Sequence, residues 1–271
     1  MAEGYILGNL DSELKRLEIQ AAFFEHLTEE TLLNAGLRKG MRCVDIGCGS
    51  GSVSRLMAKI VGRRGHVVGV DVDDRYLKYC SHRNIALKQN IEFLRHDISK
   101  SRLNVKGDFD MVYSRFLFQH LRDRKGALRY MKQLLKEGGS LLIQDLDHAS
   151  GSWVCYPENN HFNSLRKIYV ALIRKAGGDP LVGRKLYKLL IDEALDAKLE
   201  CYSPCVLMGR ETYSALGWQL ADSLKVQILQ RGLQSEQEYS EMYEGLKKLA
   251  NDRVSFVAYS RFFSAIGRKR Q

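Results

Sequence analysis

Several features are scarce or missing in this chain, and each narrows the reading. Three prolines in 271 residues, with no low-complexity tract and no internal repeat, exclude a proline-rich linker protein or a solenoid. No apolar run approaches the length of a membrane span. The opening Met1-Ala2-Glu3-Gly4-Tyr5 has no basic segment leading into an apolar core. No signal peptide is therefore expected, and the expected location is cytoplasmic. The six cysteines include no C-x-x-C pair, and no nearby histidine completes a zinc pattern. Free thiols and no bound metal are the expectation. A homodimer stays compatible with all of this.

What is present is an ordinary globular composition, 45% hydrophobic and 27% charged, in a chain long enough to bury a full core. The formal net charge is +10. A nucleic-acid enzyme has such a charge. The basic residues are dispersed, however, as at Arg63-Arg64, Lys247-Lys248 and Arg268 to Arg270. No basic stripe carries interleaved aromatics. A basic proteome or solvated helix faces would give the same charge, and nucleic acid is disfavoured as a partner.

The first forty residues read as helical. Leu10, Leu14, Leu17, Ala21 and Phe24 recur at three- and four-residue steps. A second helix is expected from Thr28, with Glu29 and Glu30 in its first turn, stopping near Gly36. From Arg42 the pattern alternates. Strands are expected at 42–46, 66–70, 91–95, 109–113 and 140–145. Helices are expected at about 52–61, 74–88, 116–121 and 124–135. Such alternation builds parallel βαβ units. Beyond Asp147 the order loosens. A helix near 162–175, a helix at 184–197, a strand near Leu199 to Leu207, a mainly helical stretch at 209–252 and a last strand from Val254 to Ile266 are expected. The domain reading is a helical cap at 1–39 and one α/β domain at 40–271. Insertions at about 148–184 and 209–252 are placed as a lid over the strand ends.

The first strand runs into Val44-Asp45-Ile46-Gly47-Cys48-Gly49-Ser50-Gly51. Its glycines permit tight turns where a ligand approaches the main chain. A nicotinamide site would prefer G-x-G-x-x-G. Here the spacing is G-x-G-x-G, and Asp45 stands two residues ahead of it. A carboxylate there repels a pyrophosphate but suits a ligand with a cationic amino-acid end and a sulfonium. Asp71 ends the second strand and can accept from ribose hydroxyls. Asp97 ends the third and can accept an adenine amino group beside the backbone of Ile98. A single such aspartate reads equally well as a helix cap. Three at successive strand ends point to S-adenosylmethionine.

The segments VDIGCGSG, VGVDVDD, HDI, FDMVYSRFLFQHL and LLKEGGSLLIQDLD span roughly residues 41–147. In them the chain resembles the class I S-adenosylmethionine-dependent methyltransferases. The resemblance implies a Rossmann-like α/β fold. Its seven-stranded, mostly parallel sheet has order 3-2-1-4-5-7-6 with strand 7 antiparallel. It also implies cofactor contacts from Asp45, from Gly47, Cys48, Gly49 and Gly51, from Asp71 with Val72, and from Asp97 with Ile98. Ser114 and Arg115 would lie at the cofactor and the substrate mouth. Tyr5, Arg16 and Gln20 on the opening segment would reach the cofactor.

The residues after strand 4, Tyr113-Ser114-Arg115-Phe116, lack the N/D-P-P-Y/F motif of enzymes that methylate exocyclic amines. Arg115 to Leu121 and Gly178 to Arg184 look instead like the small-molecule branch, which makes quinones and natural products. Methyl transfer to an O, N, S or C atom of a small molecule is the expected function. RNA or protein methylation and a non-catalytic cofactor-binding role are the alternatives. Gln119, Trp153, Tyr156, Arg184, Tyr213 and Trp218 are candidate substrate-pocket residues. His120, His148 and His161 are candidate bases, and each reads equally well as a packing histidine. An in-line displacement at a sulfonium needs alignment more than a catalytic side chain.

Overall fold

The computed structural model describes residues 10–87 and 89–270, with side chains from Ser12 onward. Tyr5, one of the residues expected at the cofactor, lies outside the described residues. The elements begin with α1 (Leu10–Asn34), β1 (Arg42–Ile46), α2 (Ser52–Val61), β2 (His66–Asp71), α3 (Asp74–Leu87) and β3 (Ile91–Arg95). They continue with β4 (Phe109–Arg115), α4 (Arg124–Leu134), β5 (Leu135–Asp147), β6 (Val154–Tyr156), α5 (Asn160–Lys175) and α6 (Leu186–Asp192). The last are β7 (Asp196–Tyr202), β8 (Cys205–Leu207), α7 (Leu216–Gln230), α8 (Glu236–Ala250), β9 (Phe256–Ala258) and β10 (Arg261–Arg268).

Seven strands form one sheet in the order β3-β2-β1-β4-β5-β10-β7. Numbered along the chain, that is 3-2-1-4-5-7-6, the class I arrangement. β10 runs antiparallel to both of its neighbours. Alternation along the strands splits the core into two layers. Val44, Val68, Val112, Leu141 and Ile143 face α4 and α6. Cys43, Val67, Met111, Tyr113 and Leu142 face α2 and the end of α1. The buried Tyr113 hydroxyl donates to Gln144 Oε1 at 2.6 Å, so its polar end is satisfied within the sheet.

The expected break at Thr28 is absent, and α1 is one helix of 25 residues. No glycine or proline interrupts it. Thr28 is fully buried in it, and the Thr31 hydroxyl donates back to the Leu27 carbonyl. The helix ends where expected. Gly36 takes φ 99°, and Leu37 N–H reaches back to the Leu32 carbonyl while Gly36 N–H reaches that of Leu33. The expected helix at 116–121 is a single 3₁₀ turn, Phe118–His120.

Two expected strands are each divided. The stretch Leu199 to Leu207 separates into β7 and β8 at Ser203-Pro204, where proline removes a ladder donor. The stretch Val254 to Ile266 separates into β9 and β10. β9 pairs with β6 and β8 in a second, three-stranded antiparallel sheet. This small sheet draws one strand from each of three separate connections. It packs with α5, α7 and α8 around its own core, which includes Phe162, Leu165, Leu172, Val206, Leu224, Leu246 and Val257. α1 packs against α7 on one side and α2 on the other.

Candidate functional site

The loop after β1 is built on backbone that L side chains rarely adopt. Gly47, Gly49 and Gly51 have φ of 76°, 50° and 71°. The loop is tied down from the neighbouring strand. The N–H groups of Gly47 and Cys48 both donate to the Val70 carbonyl, at 2.7 and 2.9 Å. Asp71 fixes the next turn, with Oδ2 accepting from Gly49 N–H at 2.9 Å and Oδ1 from Asp73 N–H at 3.0 Å. Burial pushes the Asp71 carboxyl up from its usual range, and these backbone donors hold it back.

Asp45 is almost wholly buried and accepts from the Ser54 hydroxyl at 2.6 Å. Burial pushes its pKa up to about 6, against the Ser54 hydrogen bond and the more distant Arg115 charge. A buried carboxylate held by one hydroxyl suits a cationic ligand group. Asp97 behaves differently. Burial works against its charge, yet hydrogen bonds from Ser99 N–H and Oγ, with Lys100 beside it, hold the carboxyl below its usual value.

These groups converge on a cavity of about 290 Å³. Asp45, Ile46, Gly47, Cys48, Gly49, Asp71, Val72, Asp97 and Ile98 line one end. Arg115 and Phe116, from the end of β4, stand at the middle. Arg115 donates to Thr28 Oγ1 at 3.0 Å, and Phe116 has φ 58°, a strained value for an aromatic residue. α1 forms the roof through Arg16, Leu17, Gln20, Phe23 and Phe24. Its Arg16 is held by a buried bidentate pair with Glu13, at 2.7 and 2.8 Å. Phe24 packs on Phe116 and Phe262 with ring centroids 5.2 and 4.8 Å away.

The far end of the cavity is apolar and aromatic. Trp153, Tyr169, Leu216, Leu220 and Tyr259 line it, with Gln119, His120, His148 and Ser260 as its polar groups. His148 is fully engaged. Its Nε2 meets Gln119 Oε1 at 2.9 Å, and its Nδ1 accepts from the hydroxyl of Ser260 and from Trp153 Nε1 at 3.3 Å. Trp153 Nε1 also donates to Ser260 Oγ at 2.6 Å. That pattern fits a neutral imidazole with its proton on Nε2. Burial, then the neighbouring His120, lowers its pKa to about 3. Burial and the Arg16 charge lower that of His120 to about 4. Both rings are therefore neutral at ordinary pH.

The comparisons with known proteins follow this geometry. A family model described as a methyltransferase domain matches residues 37–175, just over half of the chain. The chain belongs to this methyltransferase family. The ubiquinone/menaquinone biosynthesis C-methyltransferase UbiE of Ectopseudomonas mendocina is 35% identical over 115 residues, 42% of this chain and 44% of that one. The phosphoethanolamine N-methyltransferase 1 of Zea mays is 31% identical over 124 residues, 46% of this chain and 24% of that one. The chain thus spans less than half the length of these relatives. Among solved structures, phosphoethanolamine N-methyltransferase 2 of Haemonchus contortus aligns with a TM-score of 0.56 at 18% identity. That alignment covers 95% of this chain and 52% of the other, and it shows the shared methyltransferase fold.

Most residues singled out in the sequence meet in the one cavity, but several do not. Ser114 is buried in the sheet beside it and does not line it, and Gly51 caps α2 just behind the loop. His161 lies against Gly245, in a separate groove between α5 and α8. Tyr156 is 68% exposed on the small sheet. Arg184 is spent on a bidentate pair with the buried Asp147. Tyr213 packs on Phe23, and Trp218 packs on Tyr243, both against the core around the small sheet rather than at the cavity wall. Four of these five sit on segments whose direction is set by packing around the small sheet, and Arg184 sits on a turn packed against β5 and β10, none of which the sequence displays. The reading also missed wall residues. Phe23 and Phe24 carried a signal, since Phe24 continues the apolar stripe of α1. Tyr169, Tyr259 and Ser260 carried none. Among the described residues, no group of three or more His, Cys, Asp and Glu side chains is placed to hold a metal. No described helix is long and apolar enough to cross a membrane.

Proposed function

We propose that this protein transfers a methyl group from S-adenosylmethionine to an uncharged, ring-bearing small molecule, with residues 148–184 and 209–252 and the helix α1 acting as its lid. One observation carries the reading. A single cavity joins three strand-end carboxylates and a glycine loop to an aromatic chamber closed by α1 and the lid helices. The Haemonchus contortus relative was solved with S-adenosylhomocysteine, which supports the same cofactor here.

The residues fit that cofactor. Asp45, a buried carboxylate with one hydroxyl donor, would hold the cationic amino-acid end. The left-handed glycines let the chain pass close beneath it, and a Cβ at Gly49 would meet only Leu17 Cδ1, at 3.9 Å. Asp71 would accept from the ribose, and Asp97 with Ile98 would meet the adenine. Arg16, Gln20 and Arg115 would complete the enclosure. When bound, the cofactor supplies an activated methyl group on a sulfonium.

The chain's own work is then alignment and exclusion of water. α1 and the lid cover the strand ends. Phe23, Trp153, Tyr169 and Tyr259 supply flat, dry walls for a ring. Neutral His120, together with Gln119 and Ser260, offers hydrogen-bonding groups to a hydroxyl or carbonyl. His148 is already saturated by three partners, so it serves as a fixed wall rather than as a base.

The maize relative is named for a phosphoethanolamine substrate, and the cavity argues against one here. A phosphate needs unpaired cations. Arg16 is paired with Glu13 and both histidines are neutral, so the cavity wall offers one arginine, Arg115, whose described partners are the hydroxyls of Thr28 and Ser52. The quinone-type relative matches better. Nucleic acid is disfavoured because the chamber is enclosed and aromatic rather than open and basic. The test follows S-adenosylhomocysteine release with two panels, neutral phenols, quinols and related rings against phosphorylated amines. Turnover confined to phosphorylated amines overturns the acceptor class.

A further inference from the structure

The large sheet ends at β7, whose outer edge is unpaired among the described residues. Such an edge offers a row of free backbone donors and acceptors to another strand. β7 is seven residues long, and Asp196, Lys198, Leu199 and Cys201 are all exposed on it. We propose that this edge is a self-recognition surface, on which a second copy of this chain adds its own β7 antiparallel about a two-fold axis through Leu199.

The charges select that register. A two-fold axis normal to the sheet keeps every side chain on its own face, so the permitted registers are centred on a residue. Centred on Leu199, all seven residues pair. Lys198 then stands opposite Glu200 of the partner copy, twice by symmetry, and Asp196 stands opposite Tyr202. Centred on Lys198, the lysines face each other and Asp196 faces Glu200. Centred on Glu200, the glutamates face each other. Shifting further runs the pairing into Pro204 at one end or leaves most of the strand unpaired. The Leu199 register alone pairs the whole strand, sets opposite charges face to face and avoids like ones.

The apolar component lies on the same side of the sheet as Leu199. Leu199 pairs with Ala265 of β10, whose side is covered by α6. α6 packs against β7 and leaves Tyr187 and Ile191, one turn apart, 43% and 46% exposed. Leu199 itself is 37% exposed. These three supply the contact area that seven backbone residues alone do not provide for a stable dimer. On the other face, Tyr202 packs on Phe262, which in turn packs on Phe24 and Phe116 at the cavity. The partner's strand would thus adjoin a residue two contacts from the site.

Sedimentation equilibrium of the full chain across a micromolar concentration range tests this. The wild type should show a species of twice the 31.0 kDa chain mass. Lys198→Glu and Glu200→Lys should each weaken dimerisation roughly tenfold or more, by setting like charges opposite one another. The double variant Lys198→Glu with Glu200→Lys restores opposite charges and should restore the dimer. Circular dichroism of each variant checks that the chain is folded. As a second readout, Leu199→Cys in a Cys201→Ser background should give a symmetric disulfide-linked dimer under mild oxidation. A monomeric wild type, or a dimer indifferent to both single charge reversals, overturns the proposal.

Discussion

The Oδ2 atom of Asp71 accepts a hydrogen bond from the backbone N–H of Gly49 at 2.9 Å. One carboxylate thereby couples the end of β2 to the glycine loop that follows β1. It sets the loop's shape before any ligand arrives and leaves lone pairs facing the cavity. A residue of this kind has two tasks, and its replacements should separate them.

Asp71→Ala should weaken S-adenosylhomocysteine binding by about 1.5–3 kcal/mol, the cost of lost charge-assisted hydrogen bonds. Asp71→Asn keeps an acceptor for Gly49 and should lose less. Calorimetry of the two variants against wild type makes the comparison. Equal affinity in all three would move the ribose site elsewhere.

Cofactor affinity should depend on pH through Asp45. Its carboxyl is pushed up to about 6 in the free protein. The charged form is the one that attracts an ammonium or sulfonium. Affinity should therefore be steady above pH 7 and fall as pH drops through about 6. Asp45→Asn should be weaker at pH 7.5 and flat across the range. A wild-type profile that stays flat down to pH 5 would remove Asp45 from the cationic end.

The Ser260–His148–Trp153 network should be a stability element. Ser260→Ala removes the hydroxyl that serves both the His148 ring and the Trp153 indole, leaving them only their longer mutual contact at 3.3 Å, at a cost of about 1–3 kcal/mol. His148 adds a pH signature. Its folded pKa is depressed to about 3, so the unfolded chain gains a proton first as the solution is acidified. Its contribution is fully present above pH 6.5 and is lost as pH falls from there towards 3. Denaturant titrations at pH 7.5 and 5 should show the gap between wild type and His148→Gln narrowing on acidification. A gap that widens would mean that the histidine is charged in the fold.

The β-sheet, and the convergence of Asp45, the glycine loop, Asp71 and Asp97 on one cavity, were legible because they rest on local signals. Val44-Asp45 to Gly51 is a strand, a turn and a helix start in eight residues, and Asp71 and Asp97 mark strand ends by position. The 3.6-residue spacing of Leu14, Leu17, Ala21 and Phe24 gave the inward face of α1. The misplaced break at Thr28 came from Glu29 and Glu30, which look like a first turn but are tolerated at mid-helix. The small sheet was not legible. β6, β8 and β9 are three residues each, too short for any periodicity, and β9 pairs with β6 across about a hundred residues of sequence and with β8 across about fifty. Without that pairing nothing shows that Tyr156 turns outward while Trp153 turns in. Tyr169 and Tyr259 reach the cavity because the core around the small sheet orients α5 and the end of β9.

The roof should depend on a buried ion pair. Glu13 and Arg16 are 1% and 5% exposed and hydrogen-bonded through two contacts. Glu13→Ala removes the carboxylate paired with a buried arginine and should destabilise the chain by about 1–3 kcal/mol, the cost of a lost charge-assisted hydrogen bond. Hydrogen exchange should show the loss first as faster exchange in α1 around Glu13 to Gln20, with β1 and β4 unaffected. Added S-adenosylhomocysteine should slow exchange there in the wild type. Protection confined to the glycine loop would separate α1 and the lid from ligand binding.

The measurement closest to the central claim is a calorimetric titration of the wild-type protein with S-adenosylhomocysteine, with and without a metal chelator. The three carboxylates and the glycine loop predict saturable binding at one site per chain, unchanged by the chelator and abolished or strongly weakened in the Asp45→Ala, Asp71→Ala double variant. No binding at millimolar ligand, or binding that survives loss of both carboxylates, would contradict the account.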